Sequence, residues 1–446
     1  MHQTIKVVGA GLAGCEAAWQ AAKMGVTVDL YEMKPEKYTP AHKKEYFAEL
    51  VCSNSFRSEQ PENAIGLLKE ELSRTGSLIM EAAKRTRVPA GSALAVDRDA
   101  FSHFVTQQIK ANPNIRLHLG EEVDDLNEST LTVVATGPLT SDKLAEKIKN
   151  LAGGEGLHFY DAAAPIVDGA AINYQKAFFA SRYGKGDGND YLNCPFTKEE
   201  YDVFYEALIT AETAKLHEFD RDEKALTVFE GCMPIEVMAK RGRDTLLYGP
   251  MKPVGLPLPQ TGKDAYAVVQ LRKENAEGTM FNLVGFQTHL TFPEQKRVFR
   301  LIPGLENADF LRFGVMHRNT YLNSPVLLNE FYAVRKAPRL FFAGQMTGVE
   351  GYIESVGSGF IAGVNAARMA LGKDPVAFPK ESMLGAMAYY VSHGGSSAFQ
   401  PMNANFGIIP PLTQKVKGGK KFRNQAYTER AISALEAFWH NIGDTH

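Results

Sequence analysis

The first 32 residues constrain the fold more than any other stretch of the chain. A short β-branched run, Ile5–Val8, leads directly into Gly9-Ala10-Gly11-Leu12-Ala13-Gly14. Leu12, Cys15, Trp19 and Ala22 then recur at spacings of three, four and three, the period of one helix face. Gly25 sits where a helix C′ residue needs positive φ, and Val26–Tyr31 reads as a second strand ending at Glu32. Strand, G-x-G-x-x-G, helix, strand and acid in this order predict a βαβ unit that binds a dinucleotide. Gly9 permits the tight turn, Gly11 lets a pyrophosphate approach the backbone, and Gly14 lets the helix close on the sheet. Ala10, Leu12 and Ala13 complete a loop whose N–H groups and helix dipole favour phosphate. Glu32, 18 residues beyond Gly14, suits an adenosine ribose and repels a 2′-phosphate, which disfavours NADP there. FAD and NAD stay open on these residues.

Two later segments extend the same domain. Asp97–Ala111 has helical periodicity, and Ile115–Leu119 and Leu131–Ala135 read as strands. The second strand runs into Thr136-Gly137-Pro138, a flavoprotein-like turn where the chain passes the dinucleotide again. Near the other end, Leu340–Ala343 is a fourth strand, followed by Gly344, Gly348, Gly351 and a long apolar helix from Tyr352 to Leu371. Gly357, Gly359 and Gly363 interrupt that helix, each at a cost of about 1 kcal/mol relative to alanine. Close packing explains them, or else backbone N–H groups aimed at the pyrimidine end of a flavin. The expected fold is therefore α/β, with a Rossmann-like FAD-binding domain built discontinuously from 1–160 and 330–446. An α+β domain, 161–329, is inserted between them. Within it, strands are expected at Thr245–Tyr248, Ala265–Leu271 and Thr279–His289, the last two joined by a turn at Asn275–Gly278. A short helix is expected at Pro293–Leu301 and a flexible loop at Tyr183–Asp190.

A length of 446 residues accommodates two or three domains, and 49 basic against 51 acidic side chains exclude a uniformly basic surface. No run of about 18 apolar residues occurs, so no membrane association is expected. The N-terminus opens straight into a strand without a signal sequence, which predicts a cytoplasmic protein with reduced thiols. The four cysteines, Cys15, Cys52, Cys194 and Cys232, form no CxxC pair and no zinc-type spacing, so no metal site is expected. Cys15 faces the domain core by periodicity. Cys52 lies in Val51-Cys52-Ser53-Asn54-Ser55-Phe56-Arg57-Ser58, where polar neighbours and an arginine suit a thiolate. Cys232 lies in Glu230-Gly231-Cys232-Met233-Pro234-Ile235-Glu236, flanked by acids. Lys415, Lys417, Lys420, Lys421 and Arg423 place five positive charges in nine residues. They are either solvated surface or a contact for nucleic-acid phosphates.

Together these segments resemble the folate- and FAD-dependent tRNA (uracil-5-)-methyltransferase family TrmFO, related to the MnmG (GidA) tRNA-modifying flavoproteins. The resemblance is carried by GAGLAG, VCSNSFRS, Phe229–Pro234 and Phe342-Ala343-Gly344-Gln345 through Gly351-Tyr352; GAGLAG is generic to flavoproteins, whereas VCSNSFRS and EGCMPIE are far more specific. The resemblance implies methylation of C5 of uridine 54 in the tRNA T-loop. The carbon would come from 5,10-methylenetetrahydrofolate, and FAD reduced by NADH or NADPH would supply electrons. It assigns catalysis to Cys52 and Cys232, which the sequence does not rank as nucleophile and base. Cofactor contacts fall on the glycine loop, Glu32, Gly137, Gly344 and Gly351, and tRNA contacts on the basic cluster. Phe286, Phe292 and Tyr352 are either pterin-stacking or core residues. No obligate protein partner is evident. An MnmG-like wobble-uridine modifier, or a small-metabolite FAD oxidoreductase, accounts for the nucleotide elements equally well.

Overall fold

The computed structural model describes residues 4–39, 41–127, 129–151, 157–214, 233–314, 316–394, 399–414 and 416–443, with backbone only at 157–162 and 316–320. Its first sheet has six strands in the order Ala333–Val334, Ala337–Phe342, Thr132–Val134, Ile5–Val8, Val28–Glu32 and Ile115–Leu119. All neighbours are parallel except the outermost pair, 333–334 against 337–342. The inner strands, Ile5–Val8, Thr132–Val134 and the end of Ala337–Phe342, read as the nearly continuous apolar runs of strands covered on both faces, whereas Val28–Glu32 and Ile115–Leu119 nearer the edge do not. Leu12–Lys23 connects the neighbouring parallel strands Ile5–Val8 and Val28–Glu32, a crossover that is right-handed as a rule. It ends as the sequence demands: Gly25 at φ +79° lets its N–H reach Ala22 O and Val26 N–H reach Ala21 O, a Schellman closure.

The helix Tyr352–Ala370 packs along Leu12–Lys23, and its glycines are the reason it can. A Cβ at Gly359 would stand 2.2 Å from Ala13 O, and one at Gly363 would stand 2.5 Å from Ala17 O. Gly357 is pressed by Leu384, 3.2 Å from where its Cβ would be. Packing thus accounts for all three interior glycines, and the flavin explanation is not needed for them.

A second sheet, all antiparallel, has the order Phe178–Ala180, Tyr191–Phe196, Ala267–Lys273, Met280–Leu283, Ile166–Asp168 and Phe310–Arg312. It carries its own apolar core, drawn from residues between Val167 and Phe310, whereas the first core draws on residues up to Ile148 and from Leu322 onward. An antiparallel ribbon, Leu157–Ala162 with Met316–Tyr321, carries the chain between them. Two expectations fail locally. Thr245–Tyr248 is a 3₁₀ turn, because Gly242 and Gly249 bracket too short a run and Thr245 N–H closes onto Gly242 O. The strand expected over 279–289 stops at Leu283, where Gly285 at φ +78° turns the chain over Pro250. The hairpin between 267–273 and 280–283 forms, and the short helix spans Phe292–Phe299.

Candidate cofactor cleft and thiol site

An open cleft of about 1180 Å³ lies at the C-terminal ends of the parallel strands. This is where strand order reverses and where doubly wound sheets bind ligands. Gly9, Ala10, Gly11, Leu12, Ala13, Glu32, Gly137 and Gly344 all line it. The glycines there divide into two kinds. Gly9, at φ +97°, would put a Cβ 2.7 Å from Ala135 O, and Gly14 would put one 1.8 Å from Gly9 O. Both are required by the fold itself. Gly11 has ordinary φ of −77°, and nothing lies within 4 Å of where its Cβ would be. Neither conformation nor packing calls for glycine at 11; the bare position opens onto the cleft. Gly137, at φ +74°, likewise faces open space. The first N–H groups of the helix that follows have no intrahelical acceptor, so the loop is a cradle that fits a pyrophosphate.

Glu32 is buried at the rim, accepting from Ala10 N–H at 2.9 Å and Lys34 N–H at 3.1 Å. It braces the glycine loop from below while lining the cleft. Gly351 does not line the cleft. Its missing Cβ leaves room for the Arg57–Glu354 ion pair, whose Glu354 Oε2 would stand 2.3 Å from a Cβ at 351.

The Cys52 loop closes one end of this cleft. Val51 and Tyr352 line it, and the Tyr352 hydroxyl accepts from the N–H of Cys52 at 2.8 Å and of Ser53 at 3.1 Å. Burial, and then the adjacent Cys52, push the Tyr352 hydroxyl above the ordinary phenol range. Cys52 is half-buried. Arg98 donates to Leu50 O and to Cys52 O, and Arg312 donates to Val51 O. Burial pulls Arg98 down, but Glu274, Tyr352 and Cys52 outweigh it and raise it above its usual value. Arg312 is lowered by burial and by Arg98, with Cys52 pulling the other way. Two guanidiniums therefore hold the backbone carbonyls of the thiol loop, and positive charge beside a thiol is what favours a thiolate.

Arg57, the arginine adjacent in sequence, is not one of them. Its backbone takes φ +64°, and its guanidinium goes to the fully buried Glu354. Sequence reasoning missed Arg98, Arg272, Glu274 and Arg312. Arg272 holds Asn54 Oδ1 at 2.9 Å and Ser53 Oγ at 2.8 Å, and Glu274, 1 % exposed, pairs with Arg98 at 2.8 Å. Three of these four come from the second sheet or its edge, so the thiol loop is clamped between the two cores.

The other thiols are in contrasting places. Cys15 is buried, donates to Ala10 O, and is pushed far up by burial and by Glu32. Cys194 is buried in the second sheet and pushed up to about 12 by burial. Cys232 and Lys415 lie outside the described residues. Lys417, Lys420, Lys421 and Arg423 are exposed at and before the start of the helix Lys420–Ile442, together with Phe422. Phe286 is core, and Phe292 stacks on Phe313 at 4.6 Å. Among the described residues no helix is long and apolar enough to cross a membrane.

The fold and cleft define a dinucleotide-binding protein with an inserted antiparallel domain. Residues 4–374 match the family described as Glucose inhibited division protein A. Over 98 % of its length the chain superimposes on the crystal structure of Aquifex aeolicus GidA, form I, with a TM-score of 0.69 at 18 % identity, covering 76 % of that chain. Nearer in sequence are curated proteins named methylenetetrahydrofolate–tRNA-(uracil-5-)-methyltransferase TrmFO. That of Acetivibrio thermocellus is 58 % identical over 438 residues, covering 98 % of this chain and 99 % of the relative. That of Natranaerobius thermophilus is 59 % identical over 434 residues, 97 % and 98 % respectively. The chain belongs to the TrmFO group of the glucose-inhibited division protein A family.

Proposed function

We propose that this chain transfers the one-carbon unit of 5,10-methylenetetrahydrofolate to C5 of uridine 54 in the tRNA T-loop, giving 5-methyluridine in the cytoplasm. FAD reduced by NADH or NADPH supplies, when bound, the two electrons that turn the methylene carbon into a methyl group. The two ends of the chain, 1–160 and 330–446, hold that cofactor, and 161–329 faces the RNA. Residues 9–14 take the pyrophosphate, Glu32 the ribose, and Gly137 and Gly344 the length of the cofactor. Gly351 acts through the N-terminus of its helix. The bare Gly11 and Gly137 support this assignment, because both line the cleft and nothing lies within 4 Å of where their Cβ atoms would be.

The observation that carries the reading is the seat of Cys52, its N–H on a cleft-lining tyrosine and two guanidiniums beside it. Uracil C5 is a poor nucleophile until something adds at C6. Cys232 makes that addition, turning the ring into an enolate whose C5 bonds to the one-carbon unit. Cys52 then takes the C5 proton as the bond from the one-carbon unit to the folate nitrogen breaks and tetrahydrofolate leaves; the exocyclic methylene so formed takes up the two electrons and a proton, and expulsion of the Cys232 thiolate restores the ring. Arg98 and Arg312 favour the anionic Cys52 that a base must be. The lysines at 415, 417, 420 and 421, with Arg423, contact tRNA phosphates.

Tritium release from a T-arm minihelix carrying [5-³H]uridine tests the two thiols. Cys232→Ala abolishes both C6 adduct and release, whereas Cys52→Ala forms the adduct and releases tritium at least a hundredfold more slowly. Near-normal release from both FAD-loaded variants contradicts the mechanism.

A further inference from the structure

The segment expected to be a flexible loop, Tyr183–Asp190, is clasped at its ends. Ser181 Oγ donates to Asp190 Oδ2 at 2.7 Å, Asp190 N–H donates to Ser181 Oγ at 3.0 Å, and both residues are buried. Ser181 N–H adds a bond to Gly188 O at 2.7 Å. The loop presses against the first domain. Gly186 approaches Gly91 so closely that a Cβ would stand 2.7 Å from Gly91 Cα, and Tyr191 Oη donates to Ala90 O at 2.9 Å.

At its tip Tyr183 is 59 % exposed while its backbone takes φ +59°, ψ +27°, a conformation that a bulky residue adopts only at a cost. The surroundings enforce it. Tyr183 N–H donates to Gly255 O at 3.1 Å, and Arg182 donates to Val254 O and Lys252 O. Gly255 lacks the Cβ that would collide with the ring at 2.5 Å. The loop tip is thus pinned through its backbone, with one part of the Tyr183 ring against Gly255 and most of the residue exposed.

Two residues further along the loop is a shallow groove lined by Lys185 and Gly186 together with Glu59, Gln60, Pro61, Gly91 and Ser92. Glu59 is countered by Arg87 at 2.6 Å, and Lys185 is exposed. The same 59–62 segment anchors the basic helix. Thr428 Oγ1 donates to Pro61 O at 2.7 Å and Asn424 Nδ2 to Glu62 O at 2.9 Å, within the first two to three turns of the helix that begins with Lys420, Lys421 and Arg423. One wall of the groove is thus the segment that seats the basic helix, and the other carries Lys185, two residues from the exposed Tyr183; cations and an aromatic ring on elements flanking a groove are the parts of a single-strand binding site.

We propose that the clasped loop Ser181–Asp190 and the groove beneath it bind an unpaired stretch of the RNA substrate, with Tyr183 stacking one base and Lys185 meeting the adjoining phosphate. This rests on the reading of the chain as a tRNA-modifying enzyme. The FAD-loaded full chain is titrated with a fluorescent T-arm minihelix at several salt concentrations. Tyr183→Gly removes the ring and relieves the backbone, so its melting temperature holds or rises. Its RNA affinity falls roughly five- to a hundredfold, as loss of one base–aromatic stack would give. Tyr183→Phe binds like the wild type, and Lys185→Ala lowers the slope of log K against log salt by about one. Tyr183→Gly binding within twofold of a wild type that itself binds overturns this site alone. A wild type that binds no RNA overturns both the site and the proposed function.

Discussion

The glycine loop and the Cys52 loop face the same cleft but are made in opposite ways. The glycine loop is six consecutive residues between a strand and its helix, braced by an acid at the end of the next strand. The Cys52 loop is assembled from residues 46 and 300 positions away, with further clamps from a second sheet. A consecutive site survives as long as its own βαβ unit folds. A composite site additionally requires the two cores to be docked, so it responds to changes that leave the cleft intact.

The largest effect that separates the two belongs to Glu274→Ala. It strands the buried Arg98 guanidinium, and breaking such a pair costs about 3–5 kcal/mol. Denaturant titration is expected to show that loss, with FAD content at a permissive temperature unchanged and methyl transfer lost. Equal loss of FAD would mean the two sites are one unit. Next comes a pair of glycine variants. Gly14→Ala drives a Cβ into Gly9 O and costs about 1–3 kcal/mol as overpacking, whereas Gly11→Ala leaves the melting temperature unchanged and weakens FAD at least tenfold. A Gly11→Ala protein that stays fully yellow removes the pyrophosphate assignment. Tyr352→Phe takes the acceptor from two N–H groups and is expected to cost about 1–3 kcal/mol, with a larger fall in kcat than in folate KM.

The smallest effect is on pH dependence. Glu71 is fully buried, and its carboxylate accepts from Met383 N–H and Leu384 N–H. Burial nevertheless pushes it up to about 8 from 4.5. The folded state holds this proton more tightly than the unfolded chain, so its contribution is complete below pH 4.5 and is lost as pH rises through 8. Urea midpoints of the wild type are expected to fall relative to Glu71→Gln across that window; parallel curves would deny the raised carboxyl.

What was legible in the sequence follows the same division. The loop at 9–14, the crossover helix and Glu32 are fixed by neighbours within 32 residues, so spacing alone placed them. Arg272 and Arg312 were not legible, because their relation to the thiol loop exists only after two cores dock, and Arg98 was not because it reaches the loop from a helix start 46 positions on. Arg57, close in sequence, was misleading, since a left-handed backbone turns it toward Glu354. The helix glycines at 359 and 363 were ambiguous for a related reason: what they contact, Ala13 and Ala17, lies some 346 positions away. The 3₁₀ turn at 245–248 shows the limit of composition, where flanking glycines override an apolar run.

The most direct test is the mass of uridine 54 in unmodified tRNA after incubation with the FAD-loaded protein, NADH and deuterated 5,10-methylenetetrahydrofolate. A deuterium-labelled methyl group at that one position, absent with Cys52→Ala, is the predicted result. A yellow protein that binds the tRNA and the folate yet leaves that uridine unlabelled would contradict the account.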